Sequence, residues 1–330
     1  MDLSIFNYQR PLPGLIGVEK IMLAYCAFTA ILGILLYQQI DSGPSFLLYR
    51  LLFVIITLLL WLIYKKIPCQ ATYVVRVFFQ ISLLAYWYPD IYNFSKLAKN
   101  TDPIFAMADQ MIFGCQPAIT FSQWLSGSFW SELFYMGYFS YYLMIIAVVI
   151  VSCTNRFRRF ERTTTVLLCS FILYYIVYLF LQSAGPQFYF PKIGMEAVQA
   201  GHFPAIGDWF RFHPELNYPH PPGFFSGLVA QAQQSEYPIA AFPSSHVGMA
   251  TVILLLMRKL SKKVTIVLLP FYIILCLSTV YIGAHYAIDV LGGLITAFLF
   301  YYLSLRIYRT RFIHRPKGYK TYISHHHHRY

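Results

Sequence analysis

The chain has 330 residues, of which 58% are apolar or aromatic and only 12% are charged, about half the charged share of an ordinary soluble protein. That balance excludes a single water-soluble domain, and 29 Phe with 28 Tyr exclude a disordered chain, which has little apolar surface to bury. The net charge of +12 would suit a nucleic-acid partner, but the basic residues fall in short joints between apolar stretches, the pattern of membrane topology; no nucleic-acid partner is expected.

A bilayer core of about 30 Å takes roughly 20 mainly apolar residues per helix. Eight stretches meet or approach that length: 17–38, 45–64, 71–91, 131–153, 164–184, 246–260, 264–282 and 286–307, the sixth being the shortest. The joints carry turn and cap residues, as at Asp41-Ser-Gly-Pro44, Lys65-Lys-Ile-Pro68, Asn155 to Arg162 and Arg258 to Lys263. The first stretch has no small-residue cleavage site after it, so it reads as a retained span. With alternating spans, Lys and Arg divide nineteen to five in favour of the side holding the N-terminus, leaving Arg76 inside the third span. This predicts that both termini are cytoplasmic and that the long segments 92–130 and 185–245 face outward. Of the six cysteines only Cys115 falls outside, so neither a disulfide framework nor a four-cysteine metal site is expected.

Ionisable side chains at membrane depth are costly, which makes them the first candidates for function. Two clusters stand out, Ala241-Phe-Pro-Ser-Ser-His246 at the outer start of the sixth span and Tyr281-Ile-Gly-Ala-His285-Tyr-Ala-Ile-Asp289 at the outer start of the eighth. His285 and Asp289 stand four apart, on one helical face, where the carboxylate can hold one ring nitrogen and leave the other free to attack. Ser244 or Ser245 can cap the helix that begins near His246, and unpaired N–H groups there suit an anion such as phosphate. His246 beside that anion can protonate a leaving oxygen. Each feature alone also fits a plainer use: an interfacial packing histidine, an i, i+4 latch, a helix cap. Their conjunction on one face, with Asp289 the only aspartate of the last three spans, points to phosphoryl transfer through a phosphohistidine.

Phe242-Pro-Ser-Ser-His246 resembles the Pro-Ser-Gly-His motif of the type 2 phosphatidic acid phosphatase superfamily, and Ser278 through His285 to Asp289 matches the spacing of its Ser-Arg-x5-His-x3-Asp motif. Asp109-Gln-Met-Ile-Phe-Gly-Cys-Gln-Pro117 and the tyrosine-rich fourth span also resemble the branch containing inositol phosphorylceramide synthases. The resemblance implies an all-α catalytic core, His285 as nucleophile, Asp289 as its orienting group and His246 as the acid for the leaving group. It implies no cofactor and no metal.

The chain departs from the family pattern where phosphate is bound. Thr279 stands at the position of the arginine after Ser278, and the lysine and Arg-Pro of the first motif are missing, because no Lys or Arg occurs between Arg162 and Lys192. Ala184-Gly-Pro-Gln187 stands where the synthase-like branch has Gly-Pro-Arg. A phosphate needs complementary charge, so Arg50 and Lys192 are the expected substitutes, with Arg211 behind them and Gln187 as a neutral donor; interfacial snorkelling is the plainer use of Arg50.

The segment 185–245 is too long for a plain connector and is expected to cover the site. Its His202, His213 and His220 match no compact metal-ligand spacing, and His325 to His328 in the tail carry no assigned role. Tyr135, Tyr138, Tyr141 and Tyr142 either line an acyl-chain groove or simply pack the fourth span. The expected architecture is thus a polytopic integral membrane protein of about eight helices, with spans and an outer loop in 1–160, a catalytic core in 161–310 and a basic cytoplasmic tail in 311–330. A bacterial inner membrane with an outward, periplasmic site is the expected setting. The expected activity is that of a lipid phosphate phosphatase; transfer of a phospho-head group between lipids, or a transporter using the same histidines as a proton relay, are the alternatives.

Overall fold

Backbone N–H and C=O groups within a bilayer must be satisfied inside the chain, which leaves helices as the available form for long apolar segments. The computed structural model describes residues 13–40, 43, 45–95, 97–154, 157–216, 218–234 and 236–310, together with Tyr8. The tail 311–330, with its basic residues and five histidines, lies outside the described residues, as do Arg10, Lys96 and Arg156. Among the described residues, backbone pairing outside helices is limited to turns, loop contacts and two isolated bridges, Asn100 with Gln182 and Ser183 with Ala240.

Among the described residues six helices are long and apolar enough to cross a membrane: α1 (Gly17–Leu35), α2 (Ser45–Lys66), α7 (Ser128–Cys153), α8 (Phe157–Phe180), α14 (Lys262–Tyr281) and α15 (Ala287–Arg309). The third and sixth predicted spans differ. The third breaks at Leu83 into α3 (Gln70–Ser82) and α4 (Leu84–Asp90), neither of span length. The sixth is α13 (Ser245–Leu260), whose 16 residues reach about 24 Å at 1.5 Å per residue. Both of its ends are set by serine. Ser244 Oγ accepts the N–H of Val247 at 3.4 Å, and Ser261, which ends α13, begins α14 by accepting the N–H of Val264 at 3.4 Å. Enclosure explains why a short helix suffices: α13 packs against α7, α8, α14 and α15, which bury most of its length from Val247 to Met257.

The approach of α13 to α15 depends on small residues, as in other membrane helix pairs. A Cβ on Gly293 of α15 would come within 2.6 Å of the Ser244 carbonyl. Tyr174 of α8 closes the same junction through its hydroxyl, 2.9 Å from Thr296 Oγ1 and 3.3 Å from the Gly293 carbonyl oxygen.

The first four helices form a layer beside this core, with α1 packed on α8. Two buried ion pairs fasten it. Arg76 of α3 holds Glu19 of α1 through Nε and Nη2 at 2.7 and 2.6 Å, and Glu19 also accepts the Ile16 N–H at 2.9 Å. Arg50 of α2 meets Asp90 of α4 at 2.5 Å and donates to the Phe46 carbonyl at 3.0 Å and to Thr29 at 3.2 Å.

The two long joints at the site end are folded. Residues 92–130 contain α5 (Asp102–Phe113) and α6 (Pro117–Trp124), and 185–245 contains α9 (Pro186–Ile193), α10 (Met195–Gln199), α11 (Trp209–Phe212) and α12 (Phe224–Gln233). Helix α12 lies along α7, and Glu132 of α7 accepts the N–H groups of Phe225 and Ser226 at 3.0 and 3.2 Å. A carboxylate there meets both the unpaired donors of a first turn and the positive end of the helix dipole.

Candidate active site

His285 lies on the turn between α14 and α15, and its backbone N–H donates to the Thr279 carbonyl at 2.9 Å. The start of α15 is fixed by two carboxylates. Asp289 accepts the N–H of Tyr286 at 2.9 Å, while Asp109 of α5 accepts those of Ala287 and Ile288 at 2.8 and 2.9 Å. The first-turn donors of α15 are thereby met, and the two charges stand at the favourable end of its dipole.

The His285 ring is oriented mainly by a backbone group. Its Nδ1 lies 2.7 Å from the Ala241 carbonyl oxygen and 3.4 Å from Asp289 Oδ2. A carbonyl only accepts, so Nδ1 carries the hydrogen and Nε2 keeps its lone pair. Asp289, expected to be the orienting partner, stands behind that bond at the longer distance. Ala241 is in turn held by donating its N–H to the Ser183 carbonyl at 2.8 Å. Burial keeps the His285 imidazole deprotonated down to about 4, with the Ala241 hydrogen bond working in the opposite direction. A neutral ring at pH 7 is the form a nucleophile needs.

His246, in the first turn of α13, faces this lone pair, with its Nδ1 3.4 Å from His285 Nε2. The rings of Tyr138 and Tyr141 from α7 flank it, each at a centroid distance of 4.5 Å.

Asp102, at the start of α5, ties the remaining loop to the histidines. It accepts the N–H groups of Ala184 and Gly185, both at 2.7 Å, and the Tyr286 hydroxyl at 2.9 Å. Gly185 has φ of 91°, and a Cβ there would lie 2.6 Å from the Ala284 carbonyl oxygen, so the close approach of these two loops requires glycine. The approach places Gln187, whose N–H donates to the Gly283 carbonyl at 2.8 Å.

A cavity of about 380 Å³ opens in front of the two histidines and is also lined by Ser245, Gln187 and Glu236. Part of its wall is aromatic, from α7 and α8, and Ile81, Leu84, Ala85, Tyr88 and Pro89 of α3 and α4 supply another part, Tyr88 meeting Tyr175 of α8 at a centroid distance of 6.3 Å. Among the described residues no Lys or Arg lines it. Of the sequence-derived site, His246, His285, Ser245 and Gln187 share this cavity, with Asp289 directly behind His285. Ser244 is fully buried, its hydroxyl engaged as the α13 cap.

The two expected cations stand elsewhere. Arg50 is 2% exposed, its guanidinium held by Asp90, Thr29 and the Phe46 carbonyl, and it does not line the cavity. Lys192 is exposed and does not line the cavity, its Nζ lying 3.2 Å from the centre of the Trp209 ring in a neighbouring groove that shares Gln187 and Phe188 with it. Arg50 therefore fastens α2 to α4, and Lys192 is drawn to an aromatic face.

Glu236 was not legible beforehand as part of the site. Its carboxylate accepts from Gln187 Nε2 at 3.2 Å and from the Tyr138 hydroxyl at 3.3 Å, and Gln233 in turn donates to Gln187 Oε1 at 3.1 Å. Burial pushes the Glu236 carboxyl up to about 7, against the pull of the Gln187 and Tyr138 hydrogen bonds. The available signal was its place as the acid nearest before His246, ten residues upstream in an aromatic stretch. The orienting carbonyl of Ala241 leaves no trace in side-chain identity.

Neither the curated proteins nor the solved structures give a match to this chain. The family model described as the PAP2 superfamily matches residues 102–303, more than half of the chain, a range that begins at Asp102 and takes in Asp109, Glu236, both histidines and Asp289, and the chain accordingly belongs to the PAP2 superfamily.

Proposed function

We propose that this membrane enzyme breaks the bond between phosphorus and the alcohol oxygen of a lipid phosphate ester, with His285 as the nucleophile. The observation that carries this reading is the pairing of the His285 Nε2 lone pair with His246 across 3.4 Å, at the wall of a largely apolar cavity. His285 Nε2 attacks phosphorus and forms an N–P bond as the P–O bond to the lipid alcohol breaks. His246 gives the departing oxygen its proton. Water or a second alcohol then attacks the phosphohistidine, the N–P bond breaks, and the attacking oxygen returns a proton to His246. The Nδ1–H bond to Ala241, backed by Asp289, holds the ring in the attacking tautomer. Ser245, at the start of α13, and Gln187 contact the phosphate oxygens. The uneven division of Lys and Arg supports an outward site with both termini cytoplasmic.

With water as acceptor the enzyme is a lipid phosphatase. A second reading, transfer to a lipid alcohol, is favoured by one observation: a phosphate monoester dianion would meet no cationic side chain among the described lining residues. The test is product release in detergent, with EDTA present, from a panel of lipid phosphates and phospholipids, with and without added lipid alcohols, using His285→Ala as control. Diacylglycerol formation that disappears in the variant is the expected result. Full activity in His285→Ala, or no turnover of any lipid with any acceptor, would overturn the reading.

A further inference from the structure

Most carboxylates at the site end serve the backbone: the buried Asp102, Asp109 and Asp289 and the half-buried Glu132 each accept N–H groups that begin a helix or turn. Glu236 differs. Its partners are the side chains of Gln187 and Tyr138, and it faces the cavity beside the histidines. Gln233 donates to Gln187 Oε1, which fixes the Gln187 amide so that its Nε2 donates to this carboxylate and arranges it as an acceptor.

The surrounding wall has a matching chemistry. Tyr88, Tyr138, Tyr141, Tyr142, Tyr175 and Tyr237 all line the same cavity, and no lining residue among those described is Lys or Arg. Aromatic faces together with one carboxylate attract an alkylammonium group, since ring quadrupoles and the acid both favour positive charge. The same wall opposes a phosphate dianion, which would stand near Glu236 without a cation to balance it. A phosphodiester carries one negative charge less than that dianion, and an ammonium on its head group brings the balancing charge with it.

Resting on the phosphohistidine reading above, we propose that the substrate is a phospholipid whose phosphodiester head group bears an ammonium, of the ethanolamine or choline type, held by Glu236 and the tyrosine wall. His285 then takes up the ammonium-bearing phosphoryl group as diacylglycerol leaves with the proton from His246. A water or lipid hydroxyl completes the transfer.

Binding and turnover test this separately. Dioctanoyl lipids with choline, ethanolamine, glycerol or free phosphate head groups are titrated into purified protein in maltoside detergent at pH 8, using His285→Ala to prevent turnover. The expected result is about tenfold or greater preference for an ammonium lipid over both the glycerol and the phosphate lipids, reduced to near parity by Glu236→Gln. Comparison of the choline and ethanolamine arms identifies which ammonium fits. Equal or tighter binding of the phosphatidic acid or the glycerol lipid, or a preference that survives in Glu236→Gln, would overturn the proposal. Diacylglycerol release from the same panel by the unmodified protein separates the two readings: turnover restricted to non-ammonium lipids sinks the head-group assignment and leaves His285 chemistry intact, whereas ammonium-selective binding without turnover does the reverse.

Discussion

In the α1–α4 layer, Arg76 and Arg50 each meet a carboxylate on another helix, Glu19 and Asp90. Around α5, α9 and α15, Asp102, Asp109 and Asp289 instead meet backbone N–H groups. An arginine–carboxylate pair locks two helices at one depth, because separating them leaves a bare charge in an apolar medium. A carboxylate on consecutive amides fixes the path of a turn, which is the requirement where a ring nitrogen has to be aimed. The first layer thus uses buried charge to hold helices together, and the second uses it to shape loops.

Removal of His285 is expected to have the largest effect. His285→Ala should lower turnover by at least ~10³-fold while its elution as a folded particle in detergent is unchanged, since no helix junction depends on that ring. Breaking the layer's pairs should do the opposite. Arg76→Met leaves Glu19 buried without its cation, which should cost about 3–5 kcal/mol, read as a lower thermal midpoint, with the surviving folded fraction as active per molecule as before. Arg50→Gln should behave similarly and should leave vanadate inhibition unaltered; weakened inhibition at unchanged stability would put Arg50 back beside the phosphate.

Asp109→Asn retains the side chain's shape but weakens the hold on the Ala287 and Ile288 amides. An effect of about 1 kcal/mol at a helix start should appear as a several-fold lower kcat with KM little changed, and a large loss of stability instead would make Asp109 a packing residue. The smallest effect is expected from pH. Glu236 is ionised above about 7, with His246 and the hydroxyls of Tyr88, Tyr138 and Tyr142 as its titratable neighbours. Affinity for an ammonium lipid should therefore fall a few-fold as pH drops from 8 to 6, and Glu236→Gln should flatten that limb. His285, neutral down to about 4, contributes no change over this interval.

The helical membrane architecture and the pair of histidines were legible because each rests on short-range pattern: apolar runs of span length, and His285 four residues before Asp289. What escaped depends on contacts distant in sequence. Arg50 looked available because its partner, Asp90, is forty residues away. Glu236 carried no motif to single it out, because only the fold brings α9 and α7 to it. The third span seemed continuous by hydropathy, yet α3 ends at Ser82 and α4 begins at Leu84, and α13 is shorter than a bilayer because other helices enclose it.

The break at Leu83 has its own consequence. Ile81, Leu84, Ala85, Tyr88 and Pro89 supply one wall of the cavity, and all five precede residue 102, where the match to the family model begins. The two histidines and this part of the cavity wall are therefore built by different stretches of the chain, like a die and a plate cast separately. Substitutions confined to 81–89 should reshape the cavity without altering His246, His285 or Asp289, and on the proposed reading would change which lipid body fits while leaving the chemistry in place.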